Sequence, residues 1–271
     1  MAMYNGYLSK AEVMRDLRNA GFTFSSALGH EESNPKLVKG QKENVLSKPH
    51  NLSPAKESVH WNMCSSASAG CIAACLHTAG NPIYLNAKLA ARLQRTRAFM
   101  TMRKAYVALM AFELESFERK AARLGMLGAW RPNTTSDYPF HTVALTVNNK
   151  PVKSLIDAFP SLQSYDYTKV KKKALQHAAG LLPSNYHITF SKSESNWEDC
   201  LDVLNAGGNV AAVFDKLPES YHGFKVIDGD LTDFRPNDES GVIVGLKAKG
   251  KAKQDESGFV IRLNAKQGVL A

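Results

Sequence analysis

The sequence lacks the features that would place it in a membrane or outside a cell. Its 271 residues contain no run of about 18 apolar residues, so we expect no membrane-spanning helix. The first residues do not show the charged and then apolar pattern of a signal peptide. Only four cysteines are present, and their uneven placement argues against a secreted disulfide framework. We therefore expect a cytoplasmic protein in a reducing compartment.

Several catalytic signatures are also missing from the sequence. There is no Gly-x4-Gly-Lys-Ser/Thr phosphate loop and no Gly-x-Gly-x-x-Gly dinucleotide fingerprint. There is no His-Glu-x-x-His zinc motif, and no nucleophile elbow supports a serine hydrolase. These absences exclude the commonest nucleotide-binding and hydrolytic classes as first hypotheses.

What the sequence does contain is an excess of basic residues. The apolar fraction of 44% is ordinary for a globular protein, whereas the formal net charge is +9. A basic balance favours a polyanionic partner, because neutralising phosphates releases counterions. We expect a nucleic-acid partner, with DNA favoured, or a nucleotide substrate; the alternative is a protein that is merely basic. The sequence does not predict an oligomeric state.

Three of the four cysteines lie in one segment of small residues, at Cys64, Cys71 and Cys75. Residues 58–63 before them alternate like a short strand. Thiolates are soft ligands that favour zinc or an iron–sulfur cluster, and small residues would let the backbone wrap closely. The segment therefore predicts a metal site. The alternative is that the cysteines are structural and buried in a core, as unmodified cysteines often are.

The N-terminal half is predicted to contain a short helix, then an extended arm, and then a long helix. Ser9, followed three residues later by Glu12, is typical of a helix N-cap, and Gly21 ends that helix. Residues 22–54 are polar and predict an extended arm. Residues 87–124 predict a long helix that breaks once, near Thr101. Its basic residues form the predicted nucleic-acid-binding set: Arg92, Arg95 and Arg97.

From residue 126 onward, short apolar runs end in polar residues and alternate with helical segments. The predicted strands are 126–130, 162–165, 186–190, 209–214, 225–227 and 241–246, and the predicted helices are 152–159, 169–179 and 197–206. This order is typical of a parallel α/β sheet or barrel. We expect a single-domain TIM-like or partial (β/α) barrel over residues 56–271, preceded by the helix and arm of residues 1–55.

The polar residues after these strands are the predicted site, because the carboxyl ends of parallel strands share one edge. Each of them alone is more typical of a loop or a helix cap. The predicted catalytic residues are Asp137, Asp166, Lys169, Asp228 and Asp230. The predicted substrate-binding residues are Arg131, Asn133, Ser136, Ser191, Ser193, Lys247 and Lys249. Lys251 and Lys253 continue the last two as a lysine row that would face a polyanion.

Nine motifs, taken in order, resemble bacteriophage "gene product 88"-like proteins across roughly residues 60–260. They are residues 71–80, 90–99, 120–125, 131–137, 165–169, 185–191, 209–214, 226–230 and 241–250. The resemblance implies a barrel of the radical S-adenosylmethionine type, with Cys64, Cys71 and Cys75 as ligands of an iron–sulfur cluster. The sequence departs from the radical-enzyme spacing, because Thr78 stands where a third closely spaced cysteine would be.

Three hypotheses for function follow from these patterns. The first is a phage enzyme that acts on nucleic acid or nucleotides, modifying a base in a barrel mouth beside a cysteine-ligated metal. The second is a transglycosylase similar to those that insert 7-deazaguanine into DNA, which would use paired aspartates as nucleophile and acid–base catalyst. The third is a non-catalytic DNA-binding protein, associated with replication, in which the cysteines are structural.

Overall fold

The structure is a computed structural model that describes residues 2–32, 35–55, 57–75 and 85–263. The chain forms two compact units, each assembled from several stretches of sequence. Unit 1 comprises Met1–Ser65, Ile83–Ser164 and Pro183–Tyr186, and unit 2 comprises Ser66–Pro82, Tyr165–Leu182 and His187–Ala271.

The helices and strands alternate along the chain. The helices are α1 (Lys10–Asn19), α2 (Pro35–Gly40), α3 (Ala69–Ala73), α4 (Leu85–Thr101), α5 (Arg103–Arg123), α6 (Leu155–Ala158), α7 (Lys171–Ala178) and α8 (Trp197–Asn205). The strands are β1 (Val45–Pro49), β2 (Leu127–Arg131), β3 (Leu145–Val147), β4 (Lys150–Val152), β5 (Gln163–Thr168), β6 (Tyr186–Ser191), β7 (Asn209–Phe214), β8 (Ser220–Tyr221), β9 (Phe224–Asp228), β10 (Ile243–Lys247) and β11 (Val260–Ile261).

Two predictions for the helices of unit 1 are confirmed. The Ser9 hydroxyl accepts a hydrogen bond from the Glu12 N–H at 3.3 Å, which confirms the predicted N-cap. The long helical segment does break once, since α4 and α5 are separated by Met102. Helix α5 packs against α1 and β2 and carries many of the buried side chains of unit 1.

Strand β1 corrects the prediction of an extended arm over residues 22–54. It pairs in parallel with β2, from Val45 opposite Leu127 to Pro49 opposite Arg131. Val45 and Leu46 are buried, so this short strand contributes to the core. The segment looked polar because of residues such as Lys48, whose ammonium lies 3.1 Å from the carboxylate of buried Glu31.

Glu31 forms ion pairs with lysines of both β1 and α5 in unit 1. Its carboxylate accepts from Lys48 on β1 and also lies 3.3 Å from the ammonium of Lys120 on α5. Burial by itself would raise the pKa of Glu31, but its own backbone N–H and the two lysines outweigh burial and lower it. A buried carboxylate with these partners remains ionised at neutral pH.

The predicted short strand over residues 58–63 is also wrong. These residues form a turn in which the Ser58 hydroxyl donates to the Trp61 carbonyl at 2.5 Å and accepts from the Trp61 N–H at 3.2 Å. Val59 has a φ of 64°, in the left-handed region, and its side chain is 82% exposed. The alternation of polar and apolar letters there reflects a turn and not a buried face.

Asn185 organises a turn that belongs to unit 1, although it is remote in sequence from its partners. Its side-chain amide donates to the carbonyls of Ile156, Phe159 and Leu162 at 3.0–3.1 Å. Its own carbonyl accepts from the Ser164 N–H at 2.7 Å. One side chain thereby satisfies three carbonyls that α6 and the following turn leave without helical partners.

The sheet is open, so the predicted TIM-like or partial barrel is wrong. Hydrogen-bonded neighbours run in the order β1-β2-β5-β6-β7-β10-β9-β8, with β11 beside β7, and β3 pairs separately with β4. Among the described residues, β1 and β8 end the order and do not pair with each other. The sheet is mixed, because β8 and β9 form an antiparallel pair. A repeating order of strand, polar residues and helix is compatible with an open sheet as well as with a barrel. A barrel closes only when its strands tilt and stagger by fixed amounts, and the periodicity of a sequence does not encode these quantities.

The strands predicted from residue 126 onward are confirmed, and the most apolar of them lie at the centre of unit 2. Strand β10 pairs in parallel with β7 along its whole length, from Ile243 opposite Val210 to Lys247 opposite Phe214. Almost every residue of these two runs is buried except near the end of β10. Gly245 is required there, because a Cβ at this position would clash with side chains of Leu217 and Val226.

We predict that Leu46→Ala lowers the free energy of unfolding by about 2–5 kcal/mol, because it opens a cavity in a close-packed core. Urea denaturation measures the change. Leu8→Ala is the matched control, since Leu8 is 62% exposed, and we expect a change within about 0.5 kcal/mol. Equal effects for the two variants would show that β1 is not a core strand.

Candidate functional site

The residues that follow β2 form a self-contained turn in unit 1. Buried Asn133 accepts from the Ser136 hydroxyl at 2.8 Å and from the Tyr138 N–H at 2.9 Å, and its amide donates to the Tyr138 carbonyl. The Asp137 N–H donates to the Met63 carbonyl at 2.8 Å. Asn133 and Ser136, predicted to bind substrate, therefore shape the loop that follows Arg131 and carries Asp137.

Next to this turn lies a buried network around His50. The ring contacts the Pro132 carbonyl through Nδ1 at 2.9 Å and the Tyr106 hydroxyl through Nε2 at 3.1 Å. A carbonyl only accepts, so Nδ1 carries the hydrogen and Nε2 accepts from Tyr106. Burial lowers the pKa of His50 to about 3 and raises that of Tyr106, so both groups are neutral. The network is structural and offers no proton donor at neutral pH.

The predicted nucleic-acid-binding arginines lie on α4 in unit 1 and differ in their surroundings. Arg95 donates from Nε to the Ser26 carbonyl at 3.0 Å and is thereby fixed to the N-terminal segment. Arg97 is exposed, and its guanidinium lies 5.7 Å from the centre of the Phe22 ring. Arg92 is half-buried. Of the three arginines, Arg97 presents the most accessible charge.

The positive charge of the chain resides in unit 1. By sequence, unit 1 contains 20 Lys and Arg against 11 Asp and Glu, which gives a formal charge of +9. Unit 2 contains 14 of each and is formally neutral. The excess that composition assigned to the whole chain therefore belongs to one unit.

In unit 2, two predicted catalytic residues lie on or just after β5. Asp166 is fully buried within the strand, and Lys169 follows its end. The Lys169 ammonium donates to the Lys192 carbonyl at 3.3 Å and lies 5.3 Å from the centre of the Phe259 ring. Of the two predicted residues, only Lys169 is placed at a strand end.

The two predicted serines lie at the end of β6, where Asn196 closes the turn into α8. The Asn196 amide donates to the Ser191 carbonyl at 3.1 Å, and its oxygen accepts from the Ser193 N–H at 2.6 Å. Ser193 is buried. The serines thus lie where the prediction placed them, with their backbone groups engaged by Asn196.

The predicted carboxylates after β9 are paired with the predicted lysine row. Lys249 lies 2.7 Å from Asp230, and Lys247 lies 3.6 Å from Asp228. Asp230 also accepts from the Lys247 N–H at 3.1 Å. Half of the row is therefore compensated by acids of the same unit, because Asp228 and Asp230 each contact one of its lysines.

The predicted metal site at the three clustered cysteines has no counterpart among the described residues. Across residues 2–32, 35–55, 57–75 and 85–263, no three His, Cys, Asp or Glu side chains are grouped so as to hold a metal ion. The predicted iron–sulfur cluster, S-adenosylmethionine or zinc therefore stays a prediction without support from geometry.

The small residues around the cysteines have another explanation in the packing of unit 2. The carboxylate of Glu194 accepts from the Ser68 hydroxyl at 2.6 Å and from the Gly70 N–H at 2.8 Å. A Cβ on Gly70 would clash with Ser257 and Glu194. Small residues permit this close approach of α3 to the loop after β6.

Beyond Ser191, the strands of unit 2 separate and form a fork. Strand β10 occupies one side of β7, while the other side is shared by β6, which pairs as far as Ala211, and by β11, which pairs from Val213. Lys192 is the first residue past β6, and its N–H still donates to the Ala211 carbonyl at 2.8 Å. The fork lies at the carboxyl ends of parallel strands, where ligand sites form in open α/β sheets.

Lys192 is the residue of this region that sequence reasoning missed. It is 9% exposed, and its ammonium donates to the Gly258 carbonyl at 3.1 Å. Burial lowers its pKa. The signal was present in the alternation of β6, because Lys192 continues the buried series of Tyr186, Ile188 and Phe190 at every second residue.

Within the part of the chain that the structure describes, no helix combines the length and apolarity that crossing a membrane requires.

The family comparison matched the model described as Gene product 88 to residues 25–263 of the chain. Neither the curated proteins nor the solved structures contained a match.

We predict that acid destabilises the protein through His50. Its pKa in the folded state is about 3, below the 6.5 of an ordinary histidine, so the unfolded state binds more protons as the pH falls below 6.5. Between pH 7 and pH 5 this costs about 2 kcal/mol of unfolding free energy. Urea denaturation at the two pH values should show that His50→Gln removes this part of the pH dependence.

His60→Gln is the control for that measurement, because His60 is exposed. It should retain the pH dependence of the wild-type chain. A His50→Gln variant with an unchanged slope between pH 7 and pH 5 would contradict the assignment of the buried neutral ring.

Proposed function

We propose that the chain, which belongs to the gene product 88 family as its resemblance to phage proteins predicted, is a nucleic-acid-binding protein whose binding surface lies on unit 1. The observation that carries the proposal is the segregation of charge, with the whole formal excess of +9 on that unit. A unit with nearly twice as many basic as acidic residues repels itself unless counterions or a polyanion neutralise it.

Helix α4 is the element of unit 1 best suited to contact phosphates. Lys88 and Arg97 are exposed on it. Arg95, by contrast, is held to the Ser26 carbonyl and so fixes the segment before β1 against the helix. Arg97 lies against Phe22, and this contact limits its conformations before a ligand arrives. Exposed cations on a rigid helix contribute affinity without reading base sequence.

Some basic residues of unit 1 are already neutralised and are not assigned to the surface. Lys10 lies 2.7 Å from buried Glu113, and Lys48 and Lys120 share Glu31. These pairs hold α1, β1 and α5 in place. The binding surface is therefore assigned to the exposed charges of α4 and the start of α5, where Lys104 is also exposed.

The predicted enzymatic alternatives have less support from the described geometry. A transglycosylase needs one carboxylate as nucleophile and another as acid–base catalyst. Asp228 and Asp230 each contact a lysine, and Asp166 is buried inside β5. A base-modifying enzyme with a cysteine-bound metal lacks a group of ligands among the described residues. The DNA-binding hypothesis requires neither arrangement.

We predict that labelled duplex DNA binds with an affinity that falls steeply with salt, at a log–log slope of about −0.9 per phosphate contact. The double variant Lys88→Gln and Arg97→Gln should reduce that slope by roughly two units, one for each lost contact. Fluorescence anisotropy at several salt concentrations gives the slope directly.

The matched control removes the same charge from unit 2, through Lys247→Gln and Lys249→Gln. These lysines already contact Asp228 and Asp230, so we expect a slope close to that of the wild-type chain. If both double variants lowered the slope equally, the surface would not be confined to unit 1. A wild-type curve insensitive to salt would remove nucleic acid as the ligand.

A further inference from the structure

The fork in unit 2 places an amine of unusual character at the end of β6. Lys192 is nine-tenths buried, although lysine is almost never buried without a charged partner. Its ammonium donates to a neutral carbonyl, that of Gly258, at 3.1 Å. A backbone carbonyl compensates a buried positive charge less well than a carboxylate does. The uncharged form of the Lys192 amine is therefore more favoured in this environment than it would be in water.

Titratable groups face Lys192 from several neighbouring elements of unit 2. Lys169, after β5, shares its surroundings and donates to the Lys192 carbonyl at 3.3 Å. Burial is the largest cause of the lowered pKa of Lys192, and Lys169 lowers it further. Cys200 on α8, Glu194 in the same loop and Asp255 before β11 act in the opposite direction. The net direction is downward, which increases the fraction of amine available as a nucleophile.

The two acids that raise the pKa of Lys192 also accept hydrogen bonds from other groups. Glu194 accepts from the Ser68 hydroxyl and the Gly70 N–H, and Asp255 accepts from the Ser257 hydroxyl at 2.6 Å and the Val260 N–H at 2.9 Å. Cys200 is buried, and burial raises the pKa of its thiol to about 12, so it is not a competing nucleophile. Lys192 is the nucleophile that this strand end presents.

We propose that Lys192 forms a reversible imine with an aldehyde that carries a phosphate group, and that Lys169 binds the phosphate. The Nζ lone pair attacks the carbonyl carbon, the carbonyl oxygen takes up two protons, one of them from the amine and one from solvent, and it leaves as water. The resulting protonated imine returns to amine and aldehyde when water adds back. No oxidant or reductant is required.

Lysines desolvated or placed beside a second cation are activated in this way in covalent catalysis. Lys169 serves both purposes, because it lowers the basicity of Lys192 and supplies a positive charge for the phosphate. The phosphorylated aldehyde could be a small sugar phosphate or an abasic site in nucleic acid, since both contain the same functional groups. The proposal is independent of the DNA-binding surface on unit 1.

We predict that glyceraldehyde 3-phosphate with sodium cyanoborohydride labels Lys192 faster than any exposed lysine at pH 7, as measured by peptide mass spectrometry. Exposed lysines should lose about tenfold in rate for each pH unit below their pKa, whereas Lys192 should retain more of its rate. This arm uses the wild-type protein and does not depend on the folding of a variant. Labelling spread over exposed lysines, without enrichment at Lys192, would overturn the proposal.

Variants then separate the roles of the two lysines. Lys192→Arg should abolish the fast labelling, whereas Lys225→Arg should leave it unchanged, because Lys225 is exposed and paired with Glu239. Lys169→Gln should reduce the preference for glyceraldehyde 3-phosphate over unphosphorylated glyceraldehyde by about tenfold, the loss of one charged contact. An unchanged preference would remove Lys169 as the phosphate-binding residue.

A second probe distinguishes the two sources of the aldehyde. An abasic oligonucleotide treated with borohydride should trap a covalent complex at Lys192 if nucleic acid is the ligand. Labelling by glyceraldehyde 3-phosphate without such trapping would identify a small sugar phosphate, and failure of both would refute imine formation. Lys192→Arg should leave the salt dependence of DNA binding unchanged, so the two proposals fail separately.

Discussion

The parallel pairing of β7 with its neighbours is the constraint on which unit 2 depends. Strand β7 is buried along nearly its whole length, with β10 on one side and both β6 and β11 on the other. A strand in this position must be apolar on both faces, as Asn209-Val-Ala-Ala-Val-Phe214 largely is. Because two strands share one side of β7, the sheet has to separate, and the separation defines where Lys192 lies.

Charge is organised differently in the two units. In unit 2, positive residues are balanced locally, as Lys171 illustrates by lying within 2.6–2.8 Å of both Asp199 and Asp202. In unit 1, buried acids such as Glu31 and Glu113 bind lysines from neighbouring elements, and a large positive surplus remains. Surface ion pairs contribute little to stability, so the balance in unit 2 matters chiefly for which ligands it repels.

Local sequence signals predicted many of the helices and strands, but they could not predict how distant segments pair and pack. Ser9 marked the start of α1, and the apolar runs marked β2, β5, β6, β7, β9 and β10, because caps and periodicity are local properties. The prediction of a closed barrel was wrong because closure depends on the stagger between strands. Strand β1 was missed because Lys48 reads as exposed, although Glu31, 17 residues earlier, compensates its charge.

The candidate site shows the same division between local and distant information. Placing Ser191, Ser193 and Lys169 at or just after strand ends was correct, since strand ends can be read from composition. Asn133 and Ser136 proved to hold their own turn together, which polar residues near a strand end do more often than bind ligands. The partners of Lys192 come from residues 169, 200 and 258, and no sequence pattern connects these positions.

The interleaving of the units has a consequence for how the chain is made. Unit 1 includes Pro183–Tyr186, where Asn185 satisfies the carbonyls of Ile156, Phe159 and Leu162. Domains generally fold as units from the N-terminus during synthesis, at about 5–20 residues per second. Here a ribosome must carry translation beyond residue 186 before unit 1 has all of its parts, and by then α7 of unit 2 has already been made. At that rate, the nascent chain holds an incomplete unit 1 for about 1–4 seconds while the ribosome passes from residue 164 to residue 186.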